Sequence, residues 1–286
     1  MKGKIYKGIG GFYYVKDTDG TVIECKARGK FRKENIVPMI GDDVEVEVKN
    51  SKGSITDIYP RKNKLIRPAV ANIDLVVVVA AAKSPDPNTA LIDKMLVNAE
   101  INGIEAVVCI NKSDLSDCNA ILEVYKQAGY KTLCVSAQTG EGIQELFDCI
   151  KGRTAAFAGV SGVGKSSLLT LITGSELQTG AVSEKISRGR HTTRHVELFE
   201  MSCGGYVLDT PGFSSIETED ITASELWECF PEMRDIAGEC RFRVCVHIGE
   251  PDCAVKEKLA NGTIAESRYE SYKDLYELLK EKKQWK

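Results

Sequence analysis

Residues 73–82 read IDLVVVVAAA, ten positions interrupted by one charge. A nearly continuous apolar run of this kind marks a strand buried on both faces of a parallel sheet. IEAVVCIN, KTLCVSA, RTAAFAGV and YVLDTPG follow with similar character. Between them the period changes. NTALIDKMLVNAEING has helical spacing through Leu91, Met95 and Ala99, with Gly103 as a stop. AILEVYKQAG, GIQELFDCIKG and SLLTLITG also read as helices. Alternating strands and helices over residues 71–220 predict a doubly wound α/β domain.

The chain on either side is patterned differently. GFYYVKD, TVIECKARG and DDVEVEVKN carry strand residues, with period two in VEVEV and turn signals in DTDG, MIGDD and NSKGS. Several short strands in residues 1–66 predict a small β-barrel, an oligonucleotide-binding (OB) fold. After residue 221 the alternation stops. ASELWECF reads as a short helix, a Cys/His stretch follows, and IAESRYESYKDLYELLKEKK reads as an amphipathic helix. Tyr269, Tyr272, Tyr276 and Leu279 form its apolar stripe and are expected to pack. Residues 221–286 make the third segment.

At 43% apolar and 28% charged residues, the composition is that of a soluble globular protein. No apolar run approaches the ~20 residues of a membrane span, and MKGKIYKGIGG has no signal-peptide core, so a cytoplasmic protein is expected. Most of the ten cysteines, Cys109 and Cys134 among them, are expected to be small buried thiols. The net charge of −3 is uneven: residues 1–70 carry +6, residues 71–220 carry −7 and residues 221–286 carry −2. A basic front end suits a polyanionic partner. Arg28, Lys30, Phe31, Arg32 and Lys33 read either as a stacking and phosphate-tracking surface or as a solubilising loop.

GVSGVGKSS satisfies G-x-x-x-x-G-K-[ST] between a predicted strand and a predicted helix. Gly159, Val160, Ser161, Gly162, Val163, Gly164, Lys165, Ser166 and Ser167 are therefore expected to wrap a phosphate chain with backbone N–H groups at a helix N-terminus. Lys165 reaches the β- and γ-phosphates in this reading, and the Ser166 hydroxyl binds Mg²⁺. Asp209 and Gly212 form D-x-x-G at a strand end. Asp209 is expected to hold Mg²⁺ and the Gly212 N–H to face the γ-phosphate. In the intervening SRGRHTTRH, Thr193 is the expected switch ligand of the metal, with Thr192 in reserve.

Asn111, Lys112 and Asp114 form N-K-x-D directly after a predicted strand. Guanine offers two donors on one edge, and the Asp114 carboxylate can accept both. Adenine offers no matching pair. Lys112 is expected to lie over the ring and Asn111 to brace the loop. Ser136 and Ala137, in SAQTG, are expected to bring the Ala137 N–H to the guanine carbonyl. Each motif follows a strand, so all can meet outside the carboxyl ends of the sheet whatever their order. Here the base grip precedes the phosphate loop, a circular permutation of the usual GTPase order.

The permuted order together with SGVGKSSLL, GRHTTR, DTPGF and the Cys/His tail resembles the ribosome small-subunit-dependent GTPase A family over essentially the whole chain. The resemblance implies an OB domain, a permuted GTPase domain and a C-terminal zinc domain. It implies binding to the small ribosomal subunit and its rRNA late in maturation, with GTP hydrolysis to GDP stimulated by the subunit. A monomer is expected. The alternative is a metabolic or signalling GTPase with no ribosomal role.

Cys240, Cys245, His247 and Cys253 give C-x4-C-x-H-x5-C, a donor set suited to one closed, structural Zn²⁺. The resemblance places the zinc ligands on these four residues. Many GTPases orient the attacking water with a glutamine after D-x-x-G. Phe213 stands here instead, so slow intrinsic turnover is expected. His191, near the switch threonine, is the candidate for orienting the water, and the resemblance supports it; Lys165 and Thr193 complete the expected catalytic set.

Overall fold

The structure, a computed structural model, describes residues 1–49, 52–66, 68–174, 197–210 and 221–283. It divides into two compact units. One comprises Met1–Leu75, Cys149–Phe157 and Ser166–Gly212; the other comprises Val76–Asp148, Ala158–Lys165 and Phe213–Lys286.

The first unit opens with β1 (Lys2–Ile9), β2 (Phe12–Asp17), β3 (Val22–Ala27), the one-turn helix α1 (Lys30–Lys33), β4 (Asp43–Lys49) and β5 (Lys52–Ile58). The strands close into a barrel in the order β1-β2-β3-β5-β4. Pairing is antiparallel between β1 and β4 and parallel between β3 and β5. This is the expected OB-type barrel. Ile5, Val15, Cys25, Val44, Val46 and Ile55 fill it. Closure leaves no free sheet edge to template aggregation. β1 and β5 escaped the pattern reading because KGKIYKGI and KGSITDI carry few apolar residues among lysines and glycines, and part of β5 reads as the turn NSKGS.

Of the two readings of residues 28–33, the stacking surface fails at its aromatic. Phe31 is only 4% exposed and belongs to the barrel core. Helix α1 turns it inward, while Arg28 pairs with Glu47 and Lys30 with Asp57 at 2.6 Å.

The rest of the chain supplies β6 (Lys64–Leu65), β7 (Val70–Ala71), β8 (Leu75–Ala81), α2 (Thr89–Ile101), β9 (Glu105–Asn111), α3 (Asn119–Gln127), β10 (Lys131–Cys134), α4 (Ile143–Ile150), β11 (Thr154–Ala158), α5 (Lys165–Thr173), β12 (Phe199–Glu200) and β13 (Tyr206–Asp209). A 3-10 helix at Ala223–Cys229 follows, then α6 (Pro231–Arg234), α7 (Ala254–Ala260) and α8 (Glu266–Lys283). The predicted α/β alternation is present. In the first unit the strand order is β11-β13-β12, with β11 and β13 parallel. In the second it is β10-β9-β8, with β10 and β9 parallel. Every residue of β8 is buried, as its apolar run requires.

The second unit also holds the Cys/His segment, packed on α2. Val97 of α2 shares a core with Leu226, Phe230, Met233, Val255, Tyr269, Tyr272 and Leu279. The tyrosine stripe therefore packs inward as expected. At the centre of this region lies Arg268, 1% exposed. Its Nη1 donates to Asp93 Oδ1 at 2.7 Å, and its Nε and Nη2 donate to the Glu232 carboxylate at 2.7 and 3.1 Å. The Phe230 ring lies 4.6 Å from the guanidinium. Burial acts to lower the Arg268 pKa, but Asp93 and Glu232 hold it well above the ordinary arginine value.

The thiol expectation fails at one pair. Cys118 and Cys134 form a disulfide, with Cα atoms 6.9 Å apart. Cys118 caps α3 and Cys134 ends β10, so an αβ turn brings together residues that lie 16 apart in the chain. Cys25, Cys109 and Cys149 are buried and outside any disulfide, and burial pushes the Cys25 thiol up to about 11. Among the described residues no helix is long and apolar enough to cross a membrane.

Candidate nucleotide site and metal centre

The base-grip residues and the phosphate loop meet within the second unit. β9 ends at Asn111, which is 1% exposed. Its Nδ2 donates to Val163 O at 2.9 Å, inside the phosphate loop, and its Oδ1 accepts from the Ala137 N–H at 3.0 Å. One side chain thus ties three sequence motifs together. The neighbouring Lys112 has φ 64, and its Nζ donates to Gly162 O at 2.7 Å and to Ser84 O. Asp114 is exposed, and its Oδ1 accepts from the Ser136 hydroxyl at 2.5 Å. Ser136 is fully buried, and its Oγ also accepts from the Gln138 and Thr139 N–H groups at 3.2 and 3.1 Å. The Asp114 carboxylate is therefore braced from beneath and open to solvent above.

The phosphate loop runs from the end of β11 into α5. Gly164 has φ +91, and an added Cβ would lie 2.3 Å from Asn111 Nδ2. Glycine is required here both for backbone conformation and for the approach of the base-grip asparagine. Lys165 Nζ folds back to donate to Gly159 O at 2.8 Å and Val160 O at 3.1 Å. Val160, Ser161, Gly162, Ser166 and Ser167 are exposed, and Val163 is buried as the anchor of the loop.

In the first unit, Asp209 ends β13 beside Phe157 of β11. Thr210 locks this strand end, its N–H and its hydroxyl both donating to Phe157 O at 3.1 and 3.0 Å. The Ser166 hydroxyl and the Asp209 carboxylate are hard oxygen donors, the chemistry that fits Mg²⁺. His191, Thr192, Thr193, Gly212 and Phe213 lie outside the described residues.

The Cys/His cluster forms a compact donor set. The ligand atoms of Cys240, Cys245, His247 and Cys253 all lie within 4.8 Å of one another. His247 Nδ1 faces Cys240 Sγ at 3.5 Å and Cys253 Sγ at 3.4 Å, and these two sulfurs are 3.9 Å apart. Zn–S and Zn–N bonds of standard length generate tetrahedral edges of about 3.5–3.8 Å, so these residues fit zinc. Burial pushes the Cys245 thiol up to about 12, raises Cys253 and lowers His247. Burial alone would therefore keep the thiols protonated, and a bound cation is what would make them thiolates.

The turn carrying His247 is held by residues the sequence reading missed. Tyr269 Oη donates to His247 O at 2.7 Å, and Tyr272 Oη donates to Val246 O at 2.5 Å. Glu250 accepts from the Val246 and Ile248 N–H groups at 2.8 and 3.0 Å. Helical spacing identifies the tyrosines as apolar, but the partners of their hydroxyls lie outside α8 and leave no periodic signal.

Comparison with known proteins places this geometry in context. Residues 58–219 match the model of the RsgA GTPase family, and residues 2–55 match that of the RsgA N-terminal domain. A small ribosomal subunit biogenesis GTPase RsgA from Caldanaerobacter subterraneus subsp. tengcongensis is 51% identical over 99% of this chain and 97% of its own length. One of the same name from Agathobacter rectalis is 45% identical over the full length of both. Among solved structures, YloQ, described as a circularly permuted GTPase, is 38% identical, with TM-score 0.82 over 98% of this chain and 95% of its own. YjeQ from Thermotoga maritima is 40% identical, with TM-score 0.82 over 97% of this chain and 98% of its own.

Proposed function

Because this chain belongs to the RsgA GTPase family, we propose that it is a GTP hydrolase that serves the biogenesis of the small ribosomal subunit. The observation that carries the nucleotide reading is the junction of base grip and phosphate loop through Asn111 and Lys112. In this proposal Asp114 accepts the two guanine donors, Lys112 lies along the base, and Ser136 holds the Asp114 carboxylate. The Ala137 N–H is shared between Asn111 and the guanine carbonyl. Residues 159–167 wrap the phosphates with backbone N–H groups, and Lys165 leaves its loop carbonyls for the β- and γ-phosphates. Ser166, Asp209 and Thr193 hold Mg²⁺, and the Gly212 N–H meets the γ-phosphate. When bound, Mg²⁺ neutralises charge on the phosphate oxygens. His191 orients the attacking water.

The working parts in this reading are the barrel of residues 1–66, the permuted GTPase of residues 71–220 and the zinc segment of residues 221–286. The +6 charge of the first 70 residues supports contact of the barrel with rRNA. We place the protein in the cytoplasm, acting as a monomer on the small subunit.

The test is GTP turnover with and without purified small subunits. Turnover is expected to be slow alone and to rise at least tenfold with the subunit; equal rates would favour a GTPase that works away from the ribosome. His191→Ala is expected to lower the stimulated rate by about 10²-fold while leaving GDP affinity nearly intact. Unchanged stimulated turnover would remove His191 from the mechanism.

Zinc has its own test. One zinc per chain is expected by elemental analysis, and Cys245→Ser is expected to lower that content. The same change, or a strong chelator, is expected to lower the melting temperature, because Tyr269 and Tyr272 lose the ordered turn they brace. Full zinc content in the variant would count against this ligand set.

A further inference from the structure

We propose that Ser84, in the loop between β8 and α2, is a positioning residue for the guanine nucleotide and acts through Lys112. The proposal rests on reading residues 111–114 and 159–165 as the nucleotide site. Two backbone carbonyls accept from the Lys112 ammonium, one from Gly162 and one from Ser84. Gly162 lies in the phosphate loop. Ser84 belongs to a segment, AKSPDPN, that carries no nucleotide motif.

Lysine has a long stem with several rotatable bonds, and most of its rotamer freedom is lost when the head is held. A single acceptor lets the head pivot. Two acceptors from different loops define its position, and so the line of the apolar stem next to Asp114. A stem already in place spares the nucleotide the cost of ordering it, which is the general advantage of preorganisation.

The loop is built to hold this carbonyl. Its first residue, Ala82, donates its N–H to Asn111 O at 2.8 Å, the end of the base-grip strand. Its last, Asn88, caps α2 by accepting from the Leu91 N–H at 3.1 Å. Midway, Pro85 lies against the phosphate loop, its Cδ 3.7 Å from where a Cβ on Gly162 would sit. Residues 83–88 are exposed, so core packing does not account for their arrangement. Ser84 itself has φ 55. That left-handed conformation is open to glycine and costly for a β-branched residue. The backbone, not the hydroxyl, is the working part.

The test is calorimetric measurement of GDP and IDP binding to the full chain. Ser84→Val is expected to weaken GDP binding about five- to tenfold. Ser84→Gly, which keeps the conformation, is expected to retain most of the affinity. Lys112→Met should weaken binding at least as much as Ser84→Val, and adding Ser84→Val to it should cost nothing further. The preference for GDP over IDP should survive Ser84→Val, because Asp114 sets it. Normal affinity in Ser84→Val, or an equal loss with and without Lys112, would overturn the proposal. Should Ser84→Val not fold, Pro85→Gly loosens the same loop and is expected to lower affinity several-fold, again only when Lys112 is present; wild-type affinity there overturns it equally. Asp114→Ala separates the two levels. If Asp114→Ala binds GDP normally, the site reading fails. If it binds weakly while the loop variants bind normally, the role of Ser84 alone fails.

Discussion

With Asp114 replaced by alanine, GDP affinity is expected to fall by about 10²-fold or more, and the preference for GDP over IDP to shrink towards unity. Each hydrogen bond to a charged acceptor contributes about 1.5–3 kcal/mol, and the proposed guanine edge makes two of them. Inosine lacks the exocyclic amine and forms one, so the wild-type protein should already bind IDP more weakly than GDP. Removing the carboxylate removes the basis of both comparisons. The fold should tolerate the change. Asp114 is exposed, and Ser136 keeps its bonds from the Gln138 and Thr139 N–H groups. Isothermal titration with GDP, IDP and ADP decides the matter. Unchanged affinity and unchanged base preference would dismantle the nucleotide site as described.

The largest expected effect on stability comes from Arg268→Met. The change leaves the fully buried Asp93 and the largely buried Glu232 without their cation. Breaking a buried ion pair from one side typically costs about 3–5 kcal/mol, because the remaining charge is stranded. For a unit of this size that corresponds to a melting temperature lower by roughly 10 °C. Neutralising the stranded groups, with Asp93→Asn and Glu232→Gln added to Arg268→Met, should recover part of the loss. Urea unfolding of the single and triple variants measures both. A single variant within about 0.5 kcal/mol of wild type would show that the guanidinium is not what holds α8 to α2. The same variant should also bind zinc less firmly, since α8 carries Tyr269 and Tyr272 to the His247 turn.

These two residues differ in how far they can be read from the chain. Asp114 is legible because its chemistry is local. N-K-x-D at a strand end, with SA at the next, specifies a carboxylate and its neighbours within short stretches of backbone. The phosphate-loop motif and the Cys/His donor set are legible for the same reason, and the buried run of β8 follows from apolar content alone. Arg268 is not legible. Its partner Asp93 lies 175 residues away, and in sequence it is one charged residue on an amphipathic helix. Phe31 misleads in the opposite sense: flanked by Arg and Lys it looks like a surface platform, yet α1 turns it into the barrel.

What the sequence determined by itself was most of the order of strands and helices, the residue types at the proposed guanine, phosphate and zinc positions, and the permuted order in which they come. Those depend on periodicity and on side-chain chemistry, both carried by short windows of the chain. Tertiary structure decided which side chains hold those positions in place. Asn111 reaches Val163 across 52 residues, Lys112 reaches Ser84 across 28, and Cys118 meets Cys134 across a helix. Such pairings are selected by the packing of whole elements; for the first two no window short enough to show a pattern contains both partners, and for the cysteines, 16 apart, the window carries no periodic signal that pairs them.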